Sequence, residues 1–135
     1  MTNNESQTGI AKRDSRPSVA PMPEAKIRLD YQPRFTPAEY DKIRRGLVPR
    51  NMDQKWFIFM EDDWLFIHRD SSGFCIYQVR IDRIKDEYAV VEAYANRDPR
   101  QYKEVNDEYD KQMLGWIIEG LLLGHKRSPP PRPSS

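Results

Sequence analysis

The chain has 135 residues, enough for one domain. Lys and Arg number 22 against 21 Asp and Glu, a formal net charge of +1, which is not the footprint of a dedicated nucleic-acid binder. One cysteine and two histidines exclude an internal disulfide and argue against a four-ligand zinc site.

Residues 1–25 are polar, with no aromatic residue and no sustained period. They read as a disordered tail without the apolar run of a secretory leader. "KIRLDY" (Lys26–Tyr31) alternates like an edge strand. "FTPAEYDKIRRG" then carries a full set of helix signals. Thr36 suits the N-cap, Pro37 the first helical position, Glu39 the reciprocal capping-box position and Gly46 the left-handed C-terminal residue. Pro49 ends any continuation.

Strand signals follow. "KWFIFM" (Lys55–Met60), "WLFIHR" (Trp64–Arg69), "FCIYQVRID" (Phe74–Asp82) and "YAVVEAYAN" (Tyr88–Asn96) are dense in aromatic and β-branched residues. The connections "EDD", "DSSG" and "RIKDE" are short and polar, so consecutive antiparallel hairpins are expected. A helix is predicted from about Asp107 to Leu123, with Asn106 or Asp107 as cap and acidic residues in the first turn. Its apolar residues cover most of its circumference, so it must be buried. "MLGWIIEGLLLG" (Met113–Gly124) is interrupted by Glu119 and too short to span a bilayer. "KRSPPPRPSS" (Lys126–Ser135) reads as a second disordered tail that favours polyproline II.

The expected fold is α+β: a four-stranded antiparallel meander packed against the C-terminal helix, with a short N-terminal helix. The domain spans 26–125, between tails 1–25 and 126–135. The domain carries 16 basic and 18 acidic side chains, and the two tails 6 basic and 3 acidic. On the last strand, Ala89, Val91, Ala93 and Ala95 share one side and would let the helix approach closely. The aromatic surplus of the other strands calls for cover on the second face, from the Thr36 helix or from a second copy of the chain.

The candidate chemistry is sparse. His68-Arg69-Asp70 ends a strand, so His68 and Asp70 point to one side and Arg69 to the other. His68 and Asp70 could pair, although Asp70 is also expected to open the turn by bonding its own backbone. Cys75 can lie across from His68, but a lone strand cysteine is usually a small buried hydrophobe. Glu61–Asp63 reads as a solvated turn rather than a metal site.

Tyr77, Arg80, Glu92, Tyr94, Asn96, Arg97 and Asp98 form a surface set expected to converge with Trp64 and His68. Aromatic faces with Arg and carboxylates suit nucleotide or peptide recognition. Trp64, His68, Arg80, Tyr94 and Arg97 are therefore the candidate binding residues. His68, Asp70 and Glu92 are the acid–base candidates should the chain be an enzyme. "RSPPPRP" (Arg127–Pro133) fits the pattern that aromatic grooves bind as preformed polyproline II.

The string "KWFIFMEDDWLFIHRDSSGFCIYQVRID", with "NRDPRQY" and "DEYD" after it, resembles a small bacterial domain family of the form WFI-x-x-ED-x-WL-x-x-HR-x-x-x-G-x-CIY. Its members occur as short proteins or beside ADP-ribosylglycohydrolase and macrodomain modules, and the resemblance covers about residues 35–124. It implies an accessory role near ADP-ribose chemistry and points to no catalytic residue. The glycohydrolase metal motif and the macrodomain glycine loop are both missing from this sequence.

These readings lead to a small cytoplasmic interaction or ligand-binding module without catalysis. It would take a protein partner or a nucleotide-like ligand, with a homodimer as a variant, and no cofactor, metal or membrane. Two alternatives stand beside it: a small enzyme acting on a nucleotide or ADP-ribosyl substrate, and single-stranded nucleic-acid binding by the sheet aromatics. The domain's charge balance argues against the second.

Overall fold

The computed structural model describes residues 10–16 and 19–132. Before the sheet, Arg13–Ser15 form a single 3-10 turn, the first helical element among the described residues. Two short strands follow, β1 (Lys26–Arg28) and β2 (Arg34–Phe35), and then helix α1 (Pro37–Arg45). The meander comprises β3 (Trp56–Glu61), β4 (Trp64–Arg69), β5 (Cys75–Ile84) and β6 (Glu87–Asn96). Helix α2 (Asp107–Trp116) closes the fold and continues as a π-helical segment, Ile117–Leu122.

All pairings are antiparallel, in the order β1-β6-β5-β4-β3, with β2 also on β6. The sheet therefore has six strands, not four. Of the two additions, β1 lies within the KIRLDY stretch whose alternation reads as an edge strand, while β2 escapes the sequence because two residues are too few to show a period. They lie end to end along β6, joined to it also through Leu29 N donating to Ala93 O and Val90 N donating to Pro33 O.

The hairpin turns are tight where the polar runs predicted them. Glu61 pairs with Trp64 across two residues, and Ile84 with Glu87 across two. Asp62 and Lys85 take the positive φ that such turns need. The longer turn after β4 uses Gly73, at φ 80°.

Both helices pack on one face of the sheet. Trp56, Ile58, Leu65, Ile67, Tyr77, Val79, Ala93 and Ala95 form its floor, and Ile43, Leu114, Ile117 and Ile118 cover it. Ala93 and Ala95 are fully buried. Beyond them a bulge changes the expected face: Arg80 pairs with Glu92, but Ile81 pairs with Val90. The extra residue, Val91, passes the core position to Val90 and Tyr88. Tyr88 stacks on Tyr40 of α1 with ring centroids 3.8 Å apart. Among the described residues no helix is long and apolar enough to cross a membrane.

The second face has a cover that the composition did not announce. Phe57, Phe59 and Phe66 lie there and pack with Ala11 and Val19 of the N-terminal segment. Ala11 N donates to Arg45 O, and Ala20 N donates to Gly73 O. Arg13 grips Glu61 with two bonds (2.7 and 2.9 Å) and lies over the rings of Phe59 and Phe66. Arg16 bonds Asp70 at 2.7 Å and Pro49 O at 2.6 Å. Within the 1–25 segment read as a disordered tail, Ala11, Arg13, Arg16, Ala20 and Ala25 thus bond to the domain, and residues 1–9, 17 and 18 lie outside the described residues. Neither α1 nor a second copy is needed to cover these aromatics.

Helix α1 follows its signals closely. Thr36 Oγ1 accepts from Glu39 N, and Glu39 Oε1 accepts from Thr36 N. Gly46 ends it at φ 65°. There the chain turns against the outer edge of β3, where Leu47 and Ile58 exchange both backbone bonds. A Cβ on Gly46 would lie 2.1 Å from the carbonyl oxygen of Ile58. Gly46→Ala combines that clash with a left-handed backbone, and should destabilise by about 3 kcal/mol or more. Urea unfolding that shows a loss under 0.5 kcal/mol would contradict this.

Candidate functional site

The candidate residues from the sequence separate into three groups. Trp64, Arg80, Glu92 and Tyr94 do come together. Trp64 faces Arg80, Arg80 faces Glu92, and the Trp64 and Tyr94 rings stack at 6.3 Å. Arg80 bonds Glu92 at 2.7 Å and Asp82 at 2.9 Å, while Tyr94 OH donates to Glu92 at 2.8 Å. Lys26 Nζ sits 5.6 Å from the Tyr94 ring centre. This patch is half-exposed, and its charges already satisfy one another. Glu92 is held below the usual carboxylate range by Tyr94 and Arg80, so it is an ion-pair partner and not a proton acceptor near neutral pH.

His68 shares that face but is buried beneath the N-terminal segment, at 1% exposure. It stacks on Phe59 at 5.4 Å. Its Nδ1 lies 2.9 Å from Gly73 O, which assigns the proton to Nδ1. Nε2 has no partner among the described residues. Burial pulls the imidazole pKa below its ordinary value, against the opposing pull of the Gly73 carbonyl. The small cavity beside it, about 200 Å³, is lined by Arg13, Met22, Lys26, Phe66 and Gln78 among others; Arg80 and Tyr94 do not border it.

Asp70 does not pair with His68, and its carboxylate takes Arg16 rather than its own backbone. Cys75 does lie across from His68. Burial pushes its thiol up to about 12, which leaves no thiolate for nucleophilic work. Among the described residues no group of three His, Cys, Asp or Glu could hold a metal ion.

Arg97, Asn96 and Tyr77 leave the surface set altogether. Tyr77 is fully buried on the helix-bearing face, and Asn96 is fully buried at the end of β6. Asn96 Nδ2 donates to Cys75 O and Gln101 Oε1, and its Oδ1 accepts from Asp98 N. That knot shapes the loop which brings Tyr102 to α2.

There the sequence reading missed the main polar feature of the molecule. Asp110 of α2 is completely buried. Its Oδ1 accepts from Tyr77 OH and Tyr102 OH, each at 2.6 Å, and its Oδ2 accepts from Arg97 at 2.5 Å. Arg97 also holds Asp107 at 2.8 Å. Burial drives both tyrosines far above their ordinary pKa, so both hydroxyls keep the proton they donate. A signal existed: Asp110 precedes Leu114 by four residues and Ile117 by seven, on the helix's own apolar stripe.

Beside this tie the helix-bearing face opens into two adjoining recesses, of about 780 Å³ and about 390 Å³. They share Trp56, Arg69, Tyr109, Met113 and Arg132. The larger adds Phe74, Ile76 and Tyr102; the smaller adds Leu47, Trp116 and Leu121. Arg69 lies 5.4 Å from the Trp56 ring centre and forms part of the wall. Aromatic and apolar side chains are thus interleaved with polar ones, among them Arg69, Lys103, Glu104 and Asn106, a mixed lining that can hold a ligand by both kinds of contact.

The burial of His68 sets a pH dependence. Its folded pKa is depressed, so its stability contribution is complete above the unfolded value of 6.5 and is lost as the pH falls from there. The loss can reach about 1.4 kcal/mol per pH unit. His68→Gln should flatten the stability curve between pH 7 and pH 5.5, whatever its effect at pH 7. Parallel curves for the two proteins would contradict the assignment.

No protein-family model matches the chain, and neither a curated protein nor a solved structure matches it.

Proposed function

We propose that the protein is a non-catalytic recognition module whose ligand surface is the groove beside α2. The observation that carries this reading is the groove itself, with its aromatic floor around Trp56, Tyr102 and Tyr109. The two adjoining recesses and their mixed apolar and polar lining favour an extended peptide segment of a protein partner.

The three acid–base candidates do not favour an enzyme. Each already has its own partner: His68 the Gly73 carbonyl, Asp70 the Arg16 guanidinium, and Glu92 both Arg80 and Tyr94. The Trp64–Tyr94 face mixes both signs of charge, which does not favour a strand of nucleic acid. An accessory role near ADP-ribose chemistry leaves one other ligand class to try.

The test is a titration followed by NMR, with unstructured peptides, mononucleotides and ADP-ribose as separate arms. Peptide binding should move resonances of Trp56, Tyr109 and Met113 and leave Trp64 and Tyr94 in place. A peptide at 100 times its dissociation constant should also raise stability by about 2.7 kcal/mol. Shifts confined to Trp64 and Tyr94, or binding by the nucleotide arm alone, would overturn the reading.

A further inference from the structure

The C-terminal Pro-rich segment is not detached from the domain. Gly124, at φ 81°, turns the chain back after the π-helical segment. Trp116 Nε1 donates to Arg127 O at 3.0 Å, and Arg127 pairs with Glu119 at 2.5 Å. Pro129, Pro130 and Arg132 then border the smaller recess, opposite Trp56, Tyr109 and Trp116. Yet only Pro130 among residues 124–132 is even half-buried. The segment is anchored at one point and lies lightly on an aromatic groove. An arginine-flanked run of prolines on aromatic rings is the chemistry of polyproline II recognition, where the ligand is pre-extended and loses little entropy.

We infer that the groove selects an extended proline-rich segment with a flanking arginine, and that the chain's own Arg127–Arg132 occupies it in cis and competes with such a partner. The inference deepens, and rests on, the reading of the groove as the ligand surface. The competition follows from the tether. A ligand fixed a few residues from its site faces no bimolecular search, so a weak contact still holds a useful population. If the open form is about one tenth of the molecules, a partner's apparent affinity falls about tenfold. The anchoring groups, Trp116 and Glu119, lie outside the larger recess, so releasing the segment takes Arg132 from its rim and leaves its walls from Trp56, Tyr102, Tyr109 and Met113 in place.

The probe is the synthetic peptide of residues 126–135, labelled at its N-terminus, titrated into full-length protein and followed by fluorescence anisotropy. Three full-length variants accompany the wild type. In the release variant, Arg127→Ala, Pro129→Gly and Pro130→Gly remove the ion pair and the stiff prolines. Tyr109→Ala and Met113→Gln, each placed in the release background, alter the groove floor. Circular dichroism confirms folding, and Met113→Gln keeps the test decisive if Tyr109→Ala does not fold. The expected result is binding to the release variant about tenfold tighter than to wild type, and its loss in the groove variants. Equal binding to wild type and release variant, still lost on altering the groove, would overturn the cis competition and leave the recognition reading standing. Binding unaffected by the groove variants would overturn the inference and the groove reading together. No binding to any protein would overturn the proline-rich specificity alone, since the titration with other peptides tests the groove independently.

Discussion

The seating of α2 on the sheet, and the groove beside it, depend on one buried carboxylate. Asp110 enters the core on α2 and meets Tyr77 from the middle of the sheet, Tyr102 from the following loop and Arg97 from the end of β6. Burying a lone carboxylate is very costly, and its free energy recovers only when every acceptor site finds a donor. The two tyrosine hydroxyls lie 3.2 Å apart, but each has a single proton and both are used at Oδ1. The arrangement therefore admits one orientation of α2 against the sheet. Hydrophobic contact from Leu114, Ile117 and Ile118 supplies most of the attraction, but such contact is non-directional. The carboxylate supplies the register.

That register makes the groove. Tyr102 takes part in the tie and also forms part of the wall. Tyr109 and Met113 stand on either side of Asp110 along the helix and face the recess. The opposite wall comes from Trp56 and Arg69, paired residues at the ends of β3 and β4. A rotation of α2 would displace one wall and leave the other fixed. On the far side of the sheet the logic is different. Phe57, Phe59, Phe66 and His68 are sealed by a segment with few apolar side chains, attached through backbone bonds and arginine ion pairs. The exposed Arg13–Glu61 pair contributes about 1 kcal/mol or less, and only Arg16–Asp70 is partly buried, so this cover is held less firmly than α2.

Much of the framework could be read from the sequence because its signals are local. The Thr36–Glu39 capping box, Gly46 and the two-residue turns involve neighbours in the chain, and each formed as its residues require. The bulge at Val91 could not be read, since it depends on which partner residue each strand meets. The N-terminal cover was hidden because its contacts reach 48 and 54 residues along the chain. The uneven charge held a trace of it. The excess basic residues of the two tails find acidic partners in the domain: Arg13 with Glu61, Arg16 with Asp70 and Arg127 with Glu119. For the site, strand alternation correctly grouped Trp64, Arg80, Glu92 and Tyr94, but it could not show that their charges are mutually satisfied. Asp110 is one of three acids in the first turn of α2, where any acid suits the helix dipole, and its position on the apolar stripe is the sign that it is buried.

The dependence of α2 on Asp110 can be measured by native-state hydrogen exchange in the wild type and in Asp110→Asn. Wild-type amides of α2 around Leu114 should open only with the central amides of β5. In Asp110→Asn the α2 amides should open at a free energy about 3 kcal/mol lower, well below that of β5. If α2 and β5 lose protection equally, or if neither changes, the carboxylate does not hold the helix and the central claim fails.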